Sequence, residues 1–150
     1  GEQKPGSDIA GLASVLAFLS ATVITVSAGL HQALIHSSYA DRGGDVAIAY
    51  AISESLAESM FMLIAGTLIL LGIAIVRQKN LNQIVGGLTG LSGALFMLGM
   101  LMPAGDPGLA STSAVEAIGG IMWVSGFLSW IALTGVLGIL TILSARKNAA

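Results

Sequence analysis

HQALIHSSYADRGGDVAIAYAISESLAE, residues 31–58, is the most polar long segment between the chain's apolar runs. Two histidines, two glutamates and a hydrated turn sit there between long apolar runs. Across the chain, 55% of residues are hydrophobic and only 9% are charged. That balance exceeds what a soluble domain carries, so lipid is the solvent of most side chains. The stretch then reads as the outward mouth of a membrane hairpin. Its SSYADRGGD segment, Ser37 to Asp45, carries Gly43-Gly44 and marks a tight polar connection.

Working outward, Ser7 and Asp8 are good caps for a first helix over about 8–36, long enough to cross a hydrocarbon core of roughly 30 Å. A second helix spans about 46–76 and stops at the basic turn Arg77-Gln78-Lys79-Asn80. A third covers about 81–102 and is ended by Pro103 and Pro107 with their flanking glycines. The fourth runs over about 112–145, and Ser113 and Glu116 have the spacing of a capping box at its start. The expected fold is all-α: an integral membrane four-helix bundle of two antiparallel hairpins, forming a single transmembrane domain over 1–150. The opening GEQKPGSD lacks the layout of a cleaved signal peptide, so the first apolar run reads as a retained span. Pro5 stands where a myristoylation signal wants Ser or Thr.

Four spans place both termini and the loop after helix two on one side of the membrane. Lys4, Arg77, Lys79, Arg146 and Lys147 lie there, against Arg42 alone on the other side, so the positive-inside rule puts both termini in the cytoplasm. The outward face is left acidic, with Asp41, Asp45, Glu54, Glu58, Asp106 and Glu116. Such a face attracts a cation or a basic partner, or merely keeps acids where bases are excluded. Helices two and four each carry an outer glutamate and end in similar clusters, RQKN and ARKN, a weak echo of a duplicated hairpin. No basic tract offers a nucleic-acid footprint.

The candidate polar or ligand site is His31, Glu54 and Glu58. Antiparallel pairing brings His31 level with about Ala51 to Glu54, and Glu54 and Glu58 share a helical face four residues apart. Ser20, Ser27 and His31 fall on one stripe of helix one, while Thr25, Gln32 and His36 fall on another. The two histidines diverge by about 140°, so one helix does not aim both at one metal. Gln32 and His36 are therefore secondary candidates. Ionisable groups within a span are costly and face a bundle interior, a partner or water. Two readings follow: a structural network joining Glu54 and Glu58 to His31, Ser27 and Thr25, or a site for a metal, a proton or a substrate. The Glu-x-x-His spacing of carboxylate-bridged metal bundles is missing.

Absence of cysteine excludes disulfides and thiolate chemistry within the chain. Both histidines lie at helix one, so bis-histidine haem ligation would need a symmetric dimer. Met97 and Met100 with His31 invite a copper reading, against the ordinary use of methionine as a lipid-facing or gap-filling residue. No cofactor is assigned. Gly86, Gly90 and Gly93, with Gly119 and Gly126, line faces suited to close helix packing, and Gly135 and Gly138 continue the pattern. Trp123 and Trp130 share a face away from the interfacial belt, so both are expected to face protein, a subunit boundary or a bound hydrophobic molecule.

Three functions remain. The first is a non-catalytic integral membrane subunit that packs within or assembles a larger complex, its partners being lipid and other subunits or copies of itself. The second is a small membrane enzyme or cofactor-binding protein using the outer His/Glu site. The third is a proton-coupled carrier titrating Glu58.

Overall fold

A computed structural model of the chain describes residues 5–35, 46–79, 81–102 and 113–149, which contain four α-helices and no strand. These are α1 (Ser7–Ile35), α2 (Val46–Gln78), α3 (Gln83–Leu101) and α4 (Ala114–Ala149). All four are long and apolar enough to cross a membrane, the mark of a multi-pass membrane protein. Their hydroxyl groups suit that solvent. Thr22, Thr25, Ser55, Ser59, Thr67, Thr89, Thr134 and Thr141 each donate to the carbonyl four residues earlier on their own helix. A hydroxyl satisfied in this way needs no water.

Local chemistry sets the helix ends a few residues from where apolar patterning puts them. α2 continues past Val76 to Gln78, where Lys79 turns to a left-handed φ of 54° and its N–H donates to the Ile75 carbonyl at 3.1 Å. That conformation ends a helix, though glycine usually supplies it. α3 starts at Gln83 rather than Leu81 because the Asn82 side chain accepts from the Ile84 N–H at 2.9 Å. At the start of α4, the Glu116 N–H donates to Ser113 Oγ and the Ser113 N–H to the Glu116 carboxylate, both at 3.3 Å. This is the reciprocal capping box.

The helices pack in chain order: α1 on α2, α2 on α3, α3 on α4. α1 turns small residues to α2, since Ala13, Ser20 and Ser27 are buried at intervals of seven. The buried residues of α2 divide between two neighbours: Ser53 meets Ser27 of α1, whereas Leu68, Gly72 and Ile75 meet Gly93, Gly90 and Gly86 of α3. Backbones approach closely at two crossings. A methyl group on Gly72 would lie 2.6 Å from the Gly90 Cα and 2.7 Å from the Gly86 carbonyl oxygen. One on Gly126 would lie 2.6 Å from the Phe96 Cα, and one on Gly99 2.8 Å from the Trp123 Cα.

The core lies where these crossings meet. Phe96 is fully buried among Met60, Ile64, Ala65 and Leu68, with Val23 arriving from α1 and Phe127 and Trp130 from α4. Elsewhere α1 and α4 stand at the two ends of the row, and α4 keeps much of its length uncovered, from Ile118 and Ile121 to Ile142 and Leu143.

Candidate functional site

Between α1 and α2 the chain encloses a polar cluster of Ser27, His31 and Ser53. Ser27 and His31 are one helical turn apart on α1, which aims both at the same stretch of α2. Ser53 occupies the buried stripe of α2 and is 0% exposed. Ser27 Oγ donates to the Ser53 carbonyl at 3.1 Å, Ser53 Oγ donates to the Ser27 carbonyl at 3.3 Å, and the two hydroxyls lie 3.3 Å apart. His31 Nδ1 sits 2.6 Å from Ser53 Oγ, and the His31 ring tilts against Tyr50 at a centroid distance of 5.9 Å.

One proton on Ser53 fixes the alternatives. If it points to the Ser27 carbonyl, His31 carries its proton on Nδ1 and donates to Ser53. If it points to Nδ1, His31 is the other tautomer and Ser27 Oγ alone ties the two backbones. Either arrangement leaves the buried polar side chains satisfied: among the described residues no buried side-chain nitrogen or oxygen lacks a partner.

The histidine–serine pair has the composition of a nucleophilic dyad without its access. A nucleophile must reach a carbonyl carbon, and its base is normally oriented by a third group. Ser53 is enclosed, and its closest polar neighbours are the groups that join α1 to α2. The arrangement fastens two helices. Among the described residues no three histidine, aspartate or glutamate side chains converge as metal ligands.

The candidates read from sequence fall in different places. His31 is half-buried and bonded to Ser53, whereas Glu54 and Glu58 are exposed on α2. Gln32 is exposed, Thr25 is bonded within its own helix, and His36 lies outside the described residues. Trp123 and Trp130 are half-buried against the Phe96 core. Trp123 stacks on Phe127 at 5.4 Å and meets Phe61 and Phe96 edge-on, while Trp130 meets Phe127 at 5.6 Å. Gly86, Gly93, Gly119 and Gly126 are buried, and Gly90 is half-buried opposite Gly72. Gly135 and Gly138 have no atom within 4 Å of where a Cβ would stand.

Sequence reasoning missed Ser53, Gly72 and Gly99. Ser53 could have been found from its seven-residue interval to Met60 on the small and apolar face that opposes Ser27.

No protein family, curated protein or solved structure matches this chain.

Proposed function

We propose that the chain is a non-catalytic integral membrane subunit that packs within, or assembles, a larger membrane complex. In this reading α1–α2 and α3–α4 are antiparallel hairpins, both termini are cytoplasmic, and the His31–Ser53 end faces outward. Contacts between Gly6 and Arg77, Leu16 and Gly66, and Ser27 and Ser53 support opposed directions for the first pair. The basic residues Arg77, Lys79 and Arg146 support the sidedness.

The observation that carries the proposal is a mismatch of lengths. With 19 residues, α3 is about 28 Å long and fits the core, while α2 with 33 residues is about 50 Å. Tilt does not absorb the difference, since a helix of that length inclined by about 40° still spans about 38 Å. Extending the register from Gly72–Gly90 and Gly93–Ala65 puts the end of α3 near Met60. About 14 residues of α2, some 21 Å, then project beyond it together with the last turns of α1.

This overhang is apolar where it is bare. Ile48 is 60% exposed, and Val46, Tyr50, Ile52, Ile24 and Val26 are exposed with it, beside Glu54 and Glu58. Covering each half-exposed large side chain is worth about 1 kcal/mol. A partner with an apolar strip and a basic flank fits this surface. The enzyme reading depends on Glu54 and Glu58 joining His31 and the carrier reading on Glu58 alone, and both glutamates are exposed on α2.

Native mass spectrometry after gentle extraction from the source membrane tests the proposal. The expected spectrum holds the chain with other subunits or further copies, and Ile48→Glu with Ile52→Glu releases them while far-UV circular dichroism is unchanged. A lone chain in the wild-type spectrum overturns the proposal. A lone chain with a stoichiometric small ligand would turn attention to the His/Glu site.

A further inference from the structure

A groove of about 390 Å³ lies between α2 and α3 at the end where α2 meets its basic turn. Gly72 and Gly86 are buried at its floor, Gly72 against the Gly90 backbone and Gly86 against the Ile75 and Val76 side chains, with Gly87 and Gly90 completing a lining of small residues. Ile73, Val76 and Leu91 form exposed apolar walls. Arg77 is the charged residue of the lining, exposed at the mouth, and Lys79 follows two residues later. From Ile69 to Arg77 the groove runs about 12 Å along α2, most of the depth of one leaflet's hydrocarbon. Asp8, in the first turn of α1, is the described carboxylate at this end of the row, so Arg77 and Lys79 leave the local balance positive.

We propose that this groove binds an anionic phospholipid, with one acyl chain along the glycine floor and the phosphate paired with the Arg77 guanidinium. The inference rests on the membrane reading of the four helices and not on the partner proposed above. The placement of charge chooses this occupant over a protein helix: the groove's charge sits only at the mouth, where a lipid headgroup lies, while the remainder of the lining is apolar. A guanidinium offers paired donors to phosphate oxygens, and basic clefts between spans at the cytoplasmic face suit acidic headgroups.

The test is native mass spectrometry of the purified full chain released from nanodiscs of equal phosphatidylglycerol and phosphatidylcholine. Wild type should retain phosphatidylglycerol over phosphatidylcholine by about fivefold, the factor one basic side chain contributes beside an anionic headgroup. Arg77→Gln should bring the ratio to about one, and Arg77→Lys should restore most of it. Gly87→Leu should reduce retention of both lipids, because Gly87 lines the groove and a Cβ there meets nothing within 4 Å, so the larger side chain starts in open space and takes up room in the cleft. Equal retention of the two lipids by wild type, an unchanged ratio in Arg77→Gln, or undiminished binding in Gly87→Leu each overturns the proposal.

Discussion

Replacing Gly72 by alanine should destabilise the protein, whereas the same change at Gly90, directly across the crossing, should be nearly neutral. The asymmetry follows from where each Cβ would point. At Gly72 the methyl meets backbone only, the Gly90 nitrogen and Cα and the Gly86 carbonyl oxygen, and its 2.6 Å approach to the Gly90 Cα is well short of the 3.4 Å at which ordinary contact begins. Backbone has no rotamer to yield, so α2 and α3 must part by about 0.8 Å. A gap of that size forfeits a quarter to a half of each dispersion contact across the seam, and overpacking of this kind costs about 1–3 kcal/mol. At Gly90 the methyl would find the Gly72 Cα at 3.8 Å, an ordinary contact. Gly87→Ala meets nothing within 4 Å and gains up to about 1 kcal/mol of helix propensity. Denaturation in mixed micelles followed by far-UV circular dichroism ranks the three variants. Gly87→Ala should equal or exceed wild type, Gly90→Ala should fall near it, and Gly72→Ala should fall below by at least about 1 kcal/mol. If Gly72→Ala matches Gly87→Ala, the helices do not approach as closely as described, and the reasoning about glycine contacts fails with it.

Ser53→Ala should cost about 1–2 kcal/mol by removing the partner of His31 Nδ1 and one bond to α1, while Ser55→Ala, whose hydroxyl bonds within its own helix, should change stability by less than about 0.5 kcal/mol; equal losses would deny the interhelical cluster its role. Lys79→Gly should raise the thermal midpoint in detergent by the equivalent of about 1 kcal/mol, because a side chain in the left-handed region carries a penalty that glycine escapes, and a lowered midpoint would contradict the φ of 54°. The chain has no cysteine, so single cysteines report depth cleanly. In vesicles of the isolated protein, Ile48→Cys should react with a membrane-impermeant maleimide and Leu91→Cys should not; equal protection of both would place the α1–α2 overhang in lipid.

The four spans were legible because each is a long apolar run with a recognisable stop, and runs of that length have few alternatives. Their ends were less so. Lys79 ends α2 in a conformation that sequence statistics reserve for glycine, and the Asn82 cap starts α3 at Gln83, two residues beyond the start of the apolar pattern. At the polar cluster, sequence reasoning chose glutamates as partners for His31 because charged groups are the costliest to leave unpaired. The position facing His31 went to Ser53 instead. It is small enough for two backbones to close over, and neutral, so its burial leaves no charge to compensate. Gly72 and Gly99 were invisible for another reason: each is an isolated glycine whose partners lie on a neighbouring helix, and periodicity within one helix carries no trace of them. Gly135 and Gly138 show the converse, a regular spacing with no neighbouring helix within 4 Å of where a Cβ would stand.

In the proposed arrangement the two kinds of fastening divide the molecule by solvent. Where helices share lipid, burial of apolar surface supplies no net attraction between them, and close backbone approach at Gly72, Gly93, Gly99 and Gly126 provides the van der Waals contact that holds α2, α3 and α4 together. Toward the far end of α2 the contact with α1 is a set of hydrogen bonds among Ser27, His31 and Ser53, with Tyr50 against the histidine ring. Helix ends that project past α3 would splay unless something directional tied them. The cluster supplies that tie at the level of Ile52 and one turn from Ile48, under the surface proposed for the partner. If the proposed assembly holds, the histidine–serine cluster serves it indirectly, by holding the overhang in the shape that the proposed partner would meet.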